Sequence, residues 1–210
     1  MSKLQDVENA VVSGKSKLVA GLVQEALDEG CSAPDILNGM INAMGIVGER
    51  FKKNEIFVPE MLVAARAMKK GVDVLKPHLA SRSAGVCGKA IIGTVAGDLH
   101  DIGKNLVAMM IESAGFEVID LGVDVPVEKF IETVKANPDV KIVGCSALLT
   151  TTMPALKSTV EALNSEDFRS HIKVMVGGAP ITQEFADEIG ADAYTPDAAS
   201  AAQKAKELVA

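Results

Sequence analysis

From Val86 onward the chain alternates short apolar runs with helical patterns, and few folds satisfy that alternation. Strands are predicted over 90–95, 117–121, 142–146 and 172–176, with a weak one over 193–195; helices are predicted over 105–114, 127–136, 154–163, 183–189 and 198–209. Gly115 and Gly190 stand where a left-handed residue would end a helix. The strands are mostly apolar, which marks a parallel sheet buried on both faces. Five such units predict a five-stranded parallel sheet with helices on both faces.

Right-handed crossovers leave few strand orders, of which the flavodoxin/Rossmann-like 2-1-3-4-5 leads. Its switch point lies between the first and third strands. The loops after Val95 and Cys145 then face each other at the carboxyl ends of the strands, where open α/β sheets bind ligands. The loop Gly177-Gly178-Ala179-Pro180 lies beside them. Three loops of unusual composition thus converge on one edge.

The first 80 residues hold no convincing strand. Leu18, Leu22 and Ala26 recur at helical spacing, with Gly30 placed as a C-cap. Ser32-Ala33-Pro34-Asp35 reads as an N-cap with an early proline, and Ile36, Met40, Met44 and Val47 continue as the next stripe. Asn54-Glu55-Ile56-Phe57-Val58 breaks the period, and Pro59 restarts it for a helix carrying Met61, Leu62, Ala65, Met68, Val72 and Leu75. About four helices with short connections predict an antiparallel bundle. Periodicity is lost over 77–85, so the expected organisation is a helical domain over 1–80, a linker over 81–88 and an α/β domain over 89–210. Phe57 lies off the stripes; it reads as a hydrophobic staple or as an apolar lid over a flat ligand, while the methionines read as gap-filling core.

Composition narrows the function classes. Aromatic residues are 3% with no tryptophan and the net charge is −7, which argues against a nucleic-acid partner. Three cysteines without CxxC spacing suit a reducing cytoplasm and supply no zinc or disulfide framework. No apolar run is long enough to span a bilayer and the N-terminus lacks a signal-peptide core, so a soluble cytoplasmic protein with no membrane partner is expected.

The chemistry gathers in Gly97-Asp98-Leu99-His100-Asp101-Ile102-Gly103-Lys104-Asn105, the first strand-to-helix turn. A neutral imidazole ligates metals well, cobalt included, and a carboxylate on its other nitrogen fixes the tautomer and raises basicity. Asp98 can fold back onto His100 within a turn, and Gly103 lets a bulky group approach the backbone. Read alone, the same residues equally describe Asp98 and Asp101 capping the next helix around a solvated His100. The second loop, Ser146 to Pro154, holds four hydroxyl residues where capping needs one. The third, Gly177-Gly178-Ala179-Pro180, fits a tight turn or a backbone approach site, and neither loop matches a nucleotide-phosphate fingerprint.

Taken in order, Gly97 to Asn105, Ser146-x-Leu148 and Gly177-Gly178 resemble the DxHxxG…SxL…GG signature of cobalamin-binding domains. Asp120-Leu121-Gly122-Val123-Asp124-Val125-Pro126 is similar to that family's second strand and turn. Val47-Gly48-Glu49-Arg50-Phe51, Phe57-Val58-Pro59-Glu60-Met61 and Ala65-Arg66-Ala67-Met68-Lys69 resemble the helical cap of methionine synthase and, more closely, the free-standing corrinoid proteins of methyltransferase systems. The resemblance covers nearly the whole chain.

It implies a cobalamin or related corrinoid bound base-off/His-on, with His100 as the lower axial ligand of cobalt and Asp98 as its hydrogen-bonded partner. Thr152 stands where the relay in methionine synthase ends in a serine. Ser146 and Leu148 would line the channel of the nucleotide tail, Gly177 and Gly178 would make room for it, and Phe57 would cover the corrin. Met61, Leu99, Asp101, Ile102, Gly103, Thr150 and Tyr194 complete the implied contacts. The implied function is a carrier without a complete active site of its own. It would pass a methyl group on cobalt from a substrate-specific methyltransferase (methylamine, methanol, betaine or aryl methyl ether donor) to an acceptor methyltransferase using tetrahydrofolate or a thiol, with a reductive activase as a further partner. Competing implications are a radical-mutase subunit, which generally pairs this sheet with a barrel, and a cobalamin-dependent regulator, which needs an effector module.

Overall fold

The computed structural model describes residues 3–79 and 87–210. They fall into two compact units, one of residues 3–79 and 87 with 113–115, the other of residues 88–112 with 116–210. The linker expected over 81–88 lies outside the described residues as far as Val86, and Gly88 already belongs to a strand.

The first unit is built from α1 (Lys3–Val12), α2 (Ser16–Asp28), α3 (Ala33–Lys52) and α4 (Val58–Leu75). Helix α3 starts as its sequence dictates: the Ser32 hydroxyl accepts the Asp35 N–H at 3.2 Å, Asp35 sits in the first turn, and Arg50 and Lys52 occupy the last. Its buried stripe includes Ile36, Met40, Met44 and Val47, as the spacing predicts. In α2 the buried stripe is Val19, Val23 and Ala26, while Leu18 is 56% exposed. Both sets fit a helical period, and packing selects the face carrying the compact β-branched residues. Gly71 of α4 explains the close approach of its neighbours, because a Cβ there would lie 2.5 Å from the Met40 sulfur and 2.9 Å from Val19. Met61 and Met68 are fully buried and fill core, as expected of that flexible side chain.

Phe57 is the N-cap of α4, in extended backbone, and the Glu60 carboxylate accepts its N–H at 3.0 Å. A hydrophobic staple would come from the preceding residue and be packed; the Phe57 side chain is 63% exposed, so it is not a staple.

The second unit is a five-stranded, all-parallel sheet of order β2-β1-β3-β4-β5. Its strands are β1 (Gly88–Val95), β2 (Phe116–Val125), β3 (Val140–Ser146), β4 (Lys173–Gly177) and β5 (Ala193–Tyr194). Between them run α5 (Ile102–Ser113), α6 (Val127–Ala136), α7 (Met153–Asn164) and α8 (Gln183–Ile189), with α9 (Ala198–Val209) last. Ile91, Val143, Phe130, Leu156, Val160 and Val174 are fully buried in one core cluster, each such side chain contributing about 1.5–3 kcal/mol of burial. The largest extensions beyond the predicted bounds are at the start of α5 and the end of β2. Helix α5 begins at Ile102, because the Asn105 N–H already bonds the Asp101 carbonyl at 2.7 Å. Strand β2 continues to Val125 by slipping register twice against β1, after Ile92 and after Gly93.

Candidate functional site

The β1–α5 turn begins with Gly97 at φ 81°, a left-handed conformation that glycine adopts without penalty. The reversal drops Asp98 into the unit: it is fully buried, while Leu99 and His100 beside it are exposed. A buried carboxylate needs donors, and Asp98 has four. Its Oδ1 accepts the His100 N–H at 3.1 Å and faces His100 Nδ1 at 2.7 Å. Its Oδ2 accepts the Leu148 N–H at 2.7 Å and the Thr152 hydroxyl at 2.8 Å. None of these is a helix-capping bond, so the capping alternative for Asp98 does not hold. Asp101 instead accepts the Asn105 side-chain amide at 3.1 Å.

Burial by itself would raise the pKa of Asp98. The hydrogen bonds from Leu148 N–H, the His100 ring, His100 N–H and Thr152 outweigh it and hold the carboxyl well below the usual carboxylate range. An ionised carboxylate can only accept, so Nδ1 of His100 carries the proton and Nε2 the lone pair. Nε2 has no partner among the described residues, and the His100 side chain is 49% exposed. The arrangement is an oriented, electron-enriched imidazole ligand. Among the described residues no three His, Cys, Asp or Glu side chains converge on a metal position. One imidazole is too little to hold a bare ion; it suits a metal that brings its own equatorial ligands.

The second loop supplies the other half of the network. Thr152 precedes α7 as its N-cap, yet its hydroxyl makes no capping bond and is shared between Asp98 and the Leu149 carbonyl, 2.9 Å away. Leu148 takes part through its backbone N–H, and its side chain is exposed. Ser146 lies 2.9 Å from the Thr94 hydroxyl, which donates to the His100 carbonyl at 2.9 Å. Thr94 has one proton and gives it to His100, so Ser146 donates to Thr94. This buried threonine was not among the residues expected at the site. A threonine in an apolar run reads as strand filler, and nothing local announces its bond.

The third loop is sewn to the second. The Ala147 N–H bonds the Gly177 carbonyl at 3.1 Å, and Gly178 sits at φ 135° with its Cβ position 1.8 Å from the Ala147 oxygen. Gly178→Ala is therefore expected to cost about 2–3 kcal/mol in a urea-unfolding midpoint. At Gly177 the nearest atom to a Cβ is 3.8 Å away, so Gly177→Ala is expected to stay within about 1 kcal/mol of the parent. Gly178 is thus needed by the fold, whereas the space at Gly177 is open, as it is at Gly103, where nothing lies within 4 Å.

These loops bring Asp98, His100, Ser146, Leu148 and Thr152 together. Leu99 is 73% and Ile102 86% exposed, Leu148 and Leu149 are also exposed, and Asp101 and Thr150 lie on the surface. Large apolar side chains held in water beside an imidazole, with open space at two glycines, fit a bulky, flat, largely apolar group carrying a metal. Tyr194 on β5 is half-buried and packs on the sheet core. Phe57 and Met61 belong to the helical unit, the former exposed and the latter buried. Cys145, next to Ser146, is buried, and burial pushes its thiol up to about 12, which removes it as a thiolate nucleophile.

Residues 88–204 match the B12 binding domain family, and residues 4–76 match a second family of the same description. The chain is 46% identical to a dimethylamine corrinoid protein of Methanosarcina barkeri, covering 99% of this chain and 97% of that one. It is similar in structure to a cobalamin-binding protein from Desulfitobacterium hafniense, with TM-score 0.82, 33% identity and coverage of 99% and 98%. A methanol:cobalamin methyltransferase complex from Methanosarcina barkeri contains a chain similar at TM-score 0.85 and 28% identity, covering 99% of this chain and 79% of that one.

Proposed function

The chain belongs to the B12-binding corrinoid proteins of methyltransferase systems, and from that premise we propose that it holds its corrinoid base-off, with His100 Nε2 as the lower ligand of cobalt. It is a methyl-carrying corrinoid protein that works with methyltransferases. The observation that carries the ligand assignment is the buried Asp98 carboxylate, whose four donors hold His100 in one tautomer with Nε2 outward.

The bound cobalt supplies a metal that can accept a methyl group from one protein and yield it to another. The chain's own residues do the rest. Asp98 orients His100 and, by accepting from Nδ1, makes Nε2 a stronger donor toward the metal. Asp98, held ionised, would keep the ring proton of His100 on Nδ1 and so leave Nε2 free to face the metal. Thr152 and the Leu148 N–H keep Asp98 from turning. Leu99, Ile102, Leu148 and Leu149, exposed beside the imidazole, would exclude water from the bound group. Gly103 and Gly177 leave room for it and its tail, which Ser146 and Leu148 would line. In this reading residues 1–80 are the cap and 89–210 the corrinoid domain, with exposed Phe57 as an apolar cover.

The Methanosarcina barkeri relative is named for dimethylamine, so a methylamine-specific methyltransferase is proposed as the donor enzyme. A second methyltransferase passing the methyl group to tetrahydrofolate or a thiol, and a reductive activase, complete the set of partners. Reconstitution with hydroxocobalamin followed by gel filtration should yield a coloured protein, with one corrinoid per chain and the spectrum of a nitrogen-ligated, base-off cobalt. A colourless protein, or a spectrum identical to free base-on cobalamin, would defeat this reading.

A further inference from the structure

Strand β2 reaches around the candidate loop from the outer side of the sheet. It pairs with β1 in regular register from Gly88↔Phe116 to Ile92↔Asp120, then Gly93 meets Gly122 and Val95 meets Val125. Each slip places one extra residue on β2, a bulge that turns the following side chains. Both bulges carry a left-handed residue, Gly122 at φ 84° and Asp124 at φ 53°. Each also has a carboxylate, that of Asp124 bound to the β1–α5 turn and that of Asp120 bound to the first turn of α5. Asp120 accepts Lys104 Nζ at 2.6 Å on both oxygens, and the Gly122 N–H at 2.9 Å. The ammonium, which also reaches the Asn105 side chain at 2.6 Å, is on a residue only 5% exposed. Asp124 accepts the Gly97 N–H on Oδ1 at 2.7 Å, and its own N–H donates to the Asp98 carbonyl at 2.9 Å.

We propose that the bulged second half of β2 is a clamp on the loop that carries His100. Asp124 is the positioning residue at the loop's start, and Asp120, through Lys104, holds its end. Gly97 is the pivot of the loop. A glycine at positive φ has more alternative conformations than any other residue, and the direction it takes decides whether Asp98 enters the core or swings outward. The two bonds to Asp124 restrain both peptide groups flanking the Gly97–Asp98 link. Straight pairing would carry one residue fewer per slip and would lack the left-handed residues that bend the strand there. The clamp's effect on cobalt ligation rests on the function proposed above; its effect on the loop does not.

Asp124→Gly keeps the backbone conformation and the bond to Asp98 while removing the acceptor for Gly97; Asp124→Asn keeps an acceptor and tolerates the same φ. In the cofactor-free protein, hydrogen exchange at the Gly97 amide is expected to be about tenfold faster in Asp124→Gly and to return most of the way in Asp124→Asn. After reconstitution with hydroxocobalamin, the fraction of corrinoid with histidine on cobalt, read from the visible spectrum, should fall in the first variant and recover in the second. Thermal melting checks the fold, and Asp124→Ser replaces Asp124→Gly if the latter does not fold. Unchanged Gly97 exchange overturns the clamp, as does an Asp124→Asn variant no better than Asp124→Gly. Faster exchange with an unchanged histidine-bound fraction overturns its role in ligation. If even the parent protein took up no corrinoid, the functional reading would fail while Gly97 exchange still decided the clamp.

Discussion

Asp98→Ala is expected to destabilise the cofactor-free protein by about 3–5 kcal/mol, a large part of the 5–15 kcal/mol that holds a domain together. The change leaves the Leu148 N–H, the His100 N–H and the His100 Nδ1–H without this acceptor, while the Thr152 hydroxyl keeps the Leu149 carbonyl; a buried donor left without its acceptor costs about 1–3 kcal/mol before relaxation. Asp98→Asn should lose less, because one oxygen remains, but its amide then faces donors. Urea midpoints of the three proteins test this, and pH sharpens the test. The folded pKa of Asp98 lies below its unfolded value of about 3.9, so its contribution is fully present above about pH 5 and is lost as pH falls toward the folded value. The stability gap between parent and Asp98→Ala should therefore shrink as pH falls below about 4. A gap that widens in acid would show that Asp98 is not held ionised.

His100→Ala should do the opposite. The ring is half exposed and its loss leaves Asp98 three donors, so the unfolding midpoint should move by about 1 kcal/mol or less. Corrinoid affinity should fall about 100-fold or more, since loss of even an outer-shell partner costs 10–100-fold in metal sites. The spectrum should lose its nitrogen-ligated form. An unchanged spectrum with an unchanged affinity would remove His100 from the cobalt. Thr152→Val, which deletes one donor to Asp98, belongs between the two variants on both scales.

The strand order and the meeting of three loops were legible because parallel βα units leave so little topological choice. Val127–Ala136, Gln183–Ile189 and Ala198–Val209 fall at their predicted bounds because proline, threonine and aspartate mark their starts. Boundaries shift where a glycine suggests a loop. Gly103 is the second residue of α5, tolerated there at a cost of about 1 kcal/mol relative to alanine. The end of β2 was read as a turn because Gly122 and Asp124 look like turn residues, and in the structure they are bulges within a paired strand. The Asp98–His100 pairing was suggested by spacing, whereas Thr94 and Asp124 become visible only when β1, β2 and β3 lie side by side. The Thr94–Ser146 and Asp124–Gly97 bonds join residues far apart in sequence, which a local pattern cannot encode.

The slips in β2 have one more consequence, because β2 is an outermost strand of the sheet. A straight outer strand offers a free ladder of N–H and C=O groups to any neighbouring chain and invites edge-to-edge annealing into fibrils. Here the last part of that ladder is broken twice, bent by left-handed residues and lined with Asp120 and Asp124. The irregular backbone beside the ligand loop also makes a poor template for a second copy. Smoothing β2 to regular pairing would create an aggregation-prone edge.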